Sequence, residues 1–188
     1  MLKYIEEFRR QVEITGFRNV RIRDIEEFLK MTRKEKPLNV EIQFFDAKFV
    51  ATWQHLYFAA LNALTAFKNK ENISKSVAME TMLYASAQRQ ILKAMKLLGI
   101  KPDSSKIAVL IIGEKPETIK SVLSMVSKHV KSEPDDAVLE LSEEKGTIVQ
   151  KIFEISSVEL KTIVKKDDLE RALTDLVIER MALLSTQH

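Results

Sequence analysis

The stretch Ile107-Ala108-Val109-Leu110-Ile111-Ile112-Gly113 carries no polar side chain and four β-branched ones. A strand with one face in water alternates apolar and polar residues. This run does not, so it belongs in the middle of a sheet covered on both faces. Helices must supply that cover. Beyond it, Pro116 opens a helix to about His129, proline being suited to a first helical position. Residues 142–154 read as a shorter helix, weakened by Gly146, and Ser156-Ser157 as a helix start. The last helix is the best marked: Asp167 and Glu170 form a capping box ahead of Leu169, Leu173 and Leu176.

Towards the amino terminus, residues 76–98 read as one long helix, closed by Gly99 and by Pro102 beyond it. A lysine-bearing loop over residues 68–75 precedes it. Before the loop comes a long apolar helix, capped by Asp46 and running to Phe67 or Lys68, which should be central. Val40 to Phe45 is a strand, and Asp24 caps a helix through about Arg33 that Pro37 closes. Val12, Ile14, Phe17, Val20 and Ile22, around Gly16, read as short strands joined by a turn. The sum is an α/β (α+β) chain, helix-rich, with one small mixed or antiparallel sheet surrounded by several helices. Neither an internal repeat nor a long linker divides it, so residues 1–188 are expected to form a single domain.

With 45% hydrophobic and 30% charged residues in 188, the chain has the composition of a globular protein. It has no cysteine, which removes disulfides, thiolate chemistry and the usual zinc sites and fits a reducing compartment or a hot one. Few glycines with many Lys and Glu lean towards a thermophile. The opening residues, Met1-Leu2-Lys3-Tyr4-Ile5-Glu6-Glu7, lack the apolar stretch of a signal peptide, so a cytoplasmic protein is expected and the sequon at Asn72 should stay unmodified. Residues 49–67 are uncharged over about a bilayer's span, but Thr52, Gln54, His55, Asn62 and Thr65 interrupt them, which favours a buried helix and no membrane. A net charge of +3 permits an anionic partner without demanding one.

Catalytic motifs are missing. The four glycines, Gly16, Gly99, Gly113 and Gly146, cannot compose a P-loop or a dinucleotide fingerprint. His55, His129 and His188 are far apart, without metal-ligand neighbours at helical spacing, and His55 reads as a hydrogen-bonded core or interface residue. The paired acids Asp135-Asp136, Glu143-Glu144 and Asp167-Asp168 lie near turns or caps and read as solvated. The chain is therefore expected to be no enzyme, to need no cofactor or metal, and to act by binding.

Two surfaces offer something to bind with. In the helix over 76–98, Met79, Leu83, Ala87, Ile91, Ala94 and Leu98 share a core face. Glu80 falls on the same side and must be satisfied by first-turn N–H groups and a nearby donor. The opposite face carries Met82, Ala85, Ser86, Arg89, Lys93 and Lys96, a row of small, apolar and basic groups. Such a row suits the end of a nucleic acid: the small side chains admit a ribose or base, Arg89 and Lys93 neutralise phosphates, and Lys68, Lys70 and Lys75 extend the strip. An ordinary solvated basic face is the competing reading. In the last helix, Leu169, Leu173, Leu176 and Leu183 fill a core stripe, yet Val177, Ile178 and Met181 add a second one. Either a protein interface is left uncovered there or the core contact is unusually wide.

At these residues the sequence resembles a known family. Ala78-Met79-Glu80-Thr81-Met82-Leu83-Tyr84-Ala85-Ser86-Ala87-Gln88-Arg89-Gln90-Ile91, with Ala94 and Leu97-Leu98-Gly99-Ile100, is similar to the signature helix of the kinase-binding subunit of the KEOPS complex, whose animal form is the PRPK-binding protein. Lys151-Ile152-Phe153-Glu154-Ile155-Ser156-Ser157 and Leu173-Thr174-Asp175-Leu176-Val177-Ile178-Glu179-Arg180-Met181 resemble its second and third blocks, in the same order. The resemblance extends from about Asn39 onward. It implies a non-catalytic subunit that docks on the small atypical kinase/ATPase of KEOPS, touches the other subunits only indirectly, and captures the 3′ CCA end of tRNA for threonylcarbamoyladenosine modification. On that footing the tRNA-binding set is Met82, Ala85, Ser86, Arg89, Lys93, Lys68, Lys70 and Lys75, and the kinase-binding set is Leu173, Val177, Ile178 and Met181.

Overall fold

A computed structural model describes residues 1–164 and 168–186. Asp167 and His188 lie outside the described residues. In chain order the elements are β1 (Leu2–Ile5), β2 (Arg10–Arg18), α1 (Ile25–Glu35), β3 (Glu41–Asp46), α2 (Trp53–Asn69), α3 (Val77–Ala85), α4 (Ile91–Leu98), β4 (Lys106–Gly113), α5 (Pro116–Val130), α6 (Glu143–Ile152), α7 (Ser157–Ile163) and α8 (Leu169–Ala182). They pack into two compact units, one of Met1–Ala47 with Gly99–Val138 and one of Lys48–Leu98 with the chain from Leu139 onward.

The first unit holds the antiparallel sheet, in the order β1-β2-β4-β3. As its continuous apolar run requires, β4 is internal, with Ile14 opposite Leu110 on one side and Phe44 opposite Val109 on the other. Every residue from Ile107 to Gly113 is buried. Alternate residues Ile107, Val109 and Ile111 join Phe17 and Phe44 in a core closed by Phe28 of α1 and by Ile119, Val122, Val126 and Val130 of α5. Phe28 meets Phe44 edge-on at 4.9 Å between ring centroids, a favoured aromatic arrangement. Asp24 caps α1 by accepting from the Glu27 N–H at 2.9 Å, and Pro116 stands in the first turn of α5.

Two sequence expectations fail in this unit. The chain does not turn at Gly16: β2 runs straight through it, and the hairpin reverses at Glu6–Phe8 with Arg9 in the left-handed region at φ 51°. Gly16 is there for closeness, since a Cβ on it would stand 2.5 Å from the Val138 Cβ and 2.8 Å from the Asp135 carbonyl oxygen. Nor does Asp46 cap the long apolar helix, which starts only at Trp53. Asp46 ends β3, and its carboxylate accepts the Ser104 hydroxyl at 2.7 Å.

The second unit is helical. The long α2 is as buried as its sequence demands, with Leu56, Ala59, Ala60 and Ala63 inaccessible to solvent, and it packs against α3 and α8. Ser142 caps α6 through the Lys145 N–H, and Ser156 and Glu159 form a reciprocal capping box at α7. At α8 the cap is Asp168, whose carboxylate accepts from the Arg171 N–H at 3.0 Å. Among the described residues no helix is long and apolar enough to cross a membrane.

The expected single helix over 76–98 is two helices. After Ala85 the chain closes a Schellman turn: the Gln88 N–H donates to the Leu83 carbonyl at 3.0 Å and the Ala87 N–H to the Tyr84 carbonyl at 2.9 Å. Ala87 occupies the left-handed position at φ 50°, which α-helical continuation forbids. The direction of the backbone therefore changes between α3 and α4.

Candidate functional site

The break at Ala87 decides which side chains of the basic row reach solvent. Met82, Ala85 and Ser86 lie on α3 or its cap and are buried, at 1%, 0% and 1% exposure. They back the surface and do not line it, because with no helix continuing past Ser86 the face they share turns inward. The Ser86 hydroxyl is spent on the Leu83 carbonyl at 3.1 Å. The Ala85 carbonyl accepts from His55 Nε2–H at 2.8 Å, while His55 Nδ1 accepts the Ala51 N–H at 3.2 Å. That pair of bonds fixes the neutral tautomer. Burial pushes the imidazole down to about 4; the Ala85 bond opposes the shift and the charge of Lys145 adds to it. His55 is thus a core residue joining α2 to the end of α3, stacked edge-on against Phe153.

The cations do reach solvent. Lys68, Lys70, Lys75, Arg89, Lys93 and Lys96 are all exposed, and Arg89 donates through Nη1 to the Leu184 carbonyl at 3.3 Å. Between residues 48 and 98 the acids are Glu71 and Glu80 alone, against these six and Lys48. Glu80 is buried at 1% and takes no part in the surface charge. Its carboxylate accepts from the Ile73 N–H at 3.1 Å and the Ser74 N–H at 2.7 Å, both in the lysine loop. The donors are therefore loop amides, where the sequence pointed to the helix's own first turn. Half-buried Tyr84 lies near this group: burial pushes its hydroxyl pKa up, Glu80 and Glu71 add to the rise, and Arg89 opposes it.

Sequence reasoning missed the outer face of α4. Ala94 and Leu98 point inward, which leaves Leu92 83% exposed and Ile91 and Met95 each 39% exposed among Lys93 and Lys96. Once the helix is known to start at Ile91, the leftover apolar residues at 92 and 95 are the signal.

The second stripe of the last helix is corrected. Val177 and Met181, like Leu173, have no exposed surface, and only Ile178 reaches it in part. The wide core contact is the alternative realised. α8 is covered on one flank by α2 and α3 and on the other by α6 and α7, so Val149, Phe153 and Leu160 take up what a one-sided helix would leave bare. Thr174 joins it to Thr52 through their hydroxyls at 3.3 Å.

What remains open on α8 is a groove against α2 of about 380 Å³, lined among others by Gln54, Phe58, Asp168, Thr174, Asp175 and Ile178. Gln54 Oε1 is buried there with no hydrogen-bond partner among the described residues. Phe58 is 37% exposed, and the rim carries the Asp168, Glu170 and Asp175 carboxylates against the one guanidinium of Arg171, which lies 3.9 Å from Asp175, so it is acidic on balance. Among the described residues no cluster of His, Asp or Glu could hold a metal ion.

The chain is 36% identical over 118 residues to a protein of Methanocaldococcus jannaschii named Regulatory protein Cgi121, an alignment covering 63% of this chain and 73% of that protein. The model of the family described as kinase binding protein CGI-121 matches residues 17–185, so the likeness reaches back through α1 to the end of β2, where the sequence alone is too diffuse to compare. With nearly the whole length matched, the chain belongs to the kinase binding protein CGI-121 family.

Proposed function

We propose that this chain is a non-catalytic, regulatory subunit of a KEOPS-type complex in the cytoplasm, which binds the small atypical kinase/ATPase and captures the 3′ CCA end of tRNA for threonylcarbamoyladenosine modification. The α2–α8 groove is the kinase-docking surface. The observation that carries this assignment is the open α2–α8 groove, in which the exposed Phe58 and the half-buried Ile178 stand with the carboxylates of Asp168, Glu170 and Asp175. Apolar side chains left in a groove gain free energy when an incoming protein segment covers them, and Phe58 and Ile178 are the two anchors that this groove offers. Its acidic rim selects a basic segment.

The tRNA end binds at the α3–α4 corner. Arg89 and Lys93 meet phosphates, Lys68, Lys70 and Lys75 extend the contact, and Met82, Ala85 and Ser86 support it from behind. A pure adaptor of the kinase is the second reading, favoured by the burial of those three residues, which leaves no seat for a ribose cut into the helix itself.

A gel shift with tRNA and with tRNA lacking its terminal CCA separates the two. Under the first reading, loss of the tail abolishes binding, and Arg89→Glu with Lys93→Glu weakens it and flattens its salt dependence while the kinase still co-purifies. Binding of neither tRNA hands the chain to the adaptor reading, and equal binding of both removes capture of the CCA end. Unchanged affinity in the double variant sinks the site assignment.

A further inference from the structure

Glu80 is a buried carboxylate in a cation-rich segment that pairs with none of the cations. Its side chain is 1% exposed, and no ion pair to it exists among the described residues; its donors are the N–H groups of Ile73 and Ser74. Burying an ionised carboxylate without such donors is prohibitively costly, so the geometry works in reverse as well: wherever Glu80 is charged, those two amides must come to it. The rest of the loop is arranged around that contact. Lys70 leaves α2 in the left-handed region at φ 60°, with the Glu71 N–H donating to the Ala66 carbonyl. The Asn72 side chain donates to the Ser74 carbonyl at 2.9 Å, and the Ser74 hydroxyl to the Ser76 carbonyl at 2.9 Å. Ser76 in turn caps α3 through the Met79 N–H. The buried end of this chain of bonds is Glu80, and the exposed cations it holds are Lys70 and Lys75, beside Lys68 on the last turn of α2.

We propose that Glu80 is a positioning residue for anion binding: its buried carboxylate holds the 70–75 loop in the single conformation that presents Lys70 and Lys75 to a polyanion together with Lys68 on the last turn of α2. A flexible lysine loses side-chain and backbone freedom on contact with a phosphate, and a loop ordered beforehand has already lost the backbone part. The inference rests on the tRNA-binding reading of the corner, and it makes a prediction opposite in sign to simple electrostatics. Removing a negative charge among lysines should, by Coulomb's law alone, tighten a polyanion.

The test is Glu80→Gln in the full-length chain, measured for tRNA affinity across a salt series and for amide hydrogen exchange. The amide is isosteric but brings an NH₂ group against two N–H donors. Exchange at Ile73 and Ser74 should accelerate, tRNA affinity should fall about tenfold, and the salt slope should become shallower, with the kinase still retained at the α2–α8 groove. Glu80→Asp, which keeps the charge one methylene short, should fall between the two. Lys68→Glu with Lys75→Glu serves as the reference. If that pair leaves tRNA affinity unchanged, the tRNA reading fails and takes the proposal with it. If the pair weakens binding but Glu80→Gln leaves it equal or tighter, or leaves Ile73 and Ser74 protected, the proposal alone is overturned.

Discussion

The α3–α4 corner and the α2–α8 groove belong to one helical unit, and each leaves large apolar side chains in water, yet their charges are opposite. At the corner, Ile91, Leu92 and Met95 stand among Arg89, Lys93 and Lys96; at the groove, Phe58 and Ile178 share the lining with Asp168, Glu170 and Asp175 against the single cation Arg171. Burial of apolar surface has no direction and little selectivity, so the greasy residues alone could not tell two partners apart. The sign of the surrounding charge can, through encounter rate and through the cost of bringing like charges together. Within 48–98 the only acids are Glu71 and the buried Glu80, whereas α8 begins with Asp168 and Glu170.

The sharpest test contrasts the two sides of α8. Leu173 is wholly buried, so Leu173→Ala should lower unfolding stability by about 2–5 kcal/mol in urea titrations. Ile178→Ala should leave stability within about 0.5 kcal/mol and weaken kinase retention instead. A stable Leu173→Ala that loses the kinase would show that the inner stripe, and not the groove, is the docking surface. Next in size is the inside of the corner. Folded His55 is held at about 4 against 6.5 when unfolded, so as pH falls the unfolded chain takes up the proton first. Its contribution is complete above about pH 6.5 and is lost towards pH 4, amounting to about 2 kcal/mol by about pH 5. His55→Gln should be less acid-sensitive than the wild type by that margin. Equal acid sensitivity would mean that the imidazole is hydrated in solution.

Gln54 offers a smaller effect with opposite signs in the two readouts. Replacing it with Leu removes the partnerless buried acceptor and should stabilise the free chain by about 1 kcal/mol. The same change should weaken kinase binding, because it alters the lining of the groove that the partner covers. A variant that is both more stable and equally well bound would place the docking surface elsewhere.

Much of this was legible because periodicity and side-chain caps are local. The β4 run, the Asp24, Ser142 and Ser156 caps and the Pro116 start all appear where the residues put them. What could not be read was the stop after Ala85. Helices α2, α3, α5 and α6 end with Lys70, Ala87, Lys131 and Glu154 in the left-handed region, and none of the four glycines adopts it. A search for helix ends that waits for glycine therefore runs through Ala87 and joins α3 to α4, which turned Met82, Ala85 and Ser86 into surface residues on paper. The same blindness to tertiary neighbours exposed Val177 and Met181: one helix's pattern shows how wide its apolar face is, but not that helices on both flanks will cover it.

The smallest predicted effect tests that stop directly. An L-residue with a Cβ pays about 1–2 kcal/mol to sit in the left-handed region, whereas glycine enters it freely but loses more entropy on folding. Ala87→Gly at φ 50° should therefore raise stability by about 0.5–1 kcal/mol, less whatever packing the Ala87 methyl contributes beside the α8 core. Because the turn is already made, tRNA affinity should not change. If Ala87→Gly instead weakened tRNA binding, the corner would owe its function to rigidity at this residue, and the placement of Arg89 and Lys93 would depend on a methyl group that no pattern of charge could have revealed.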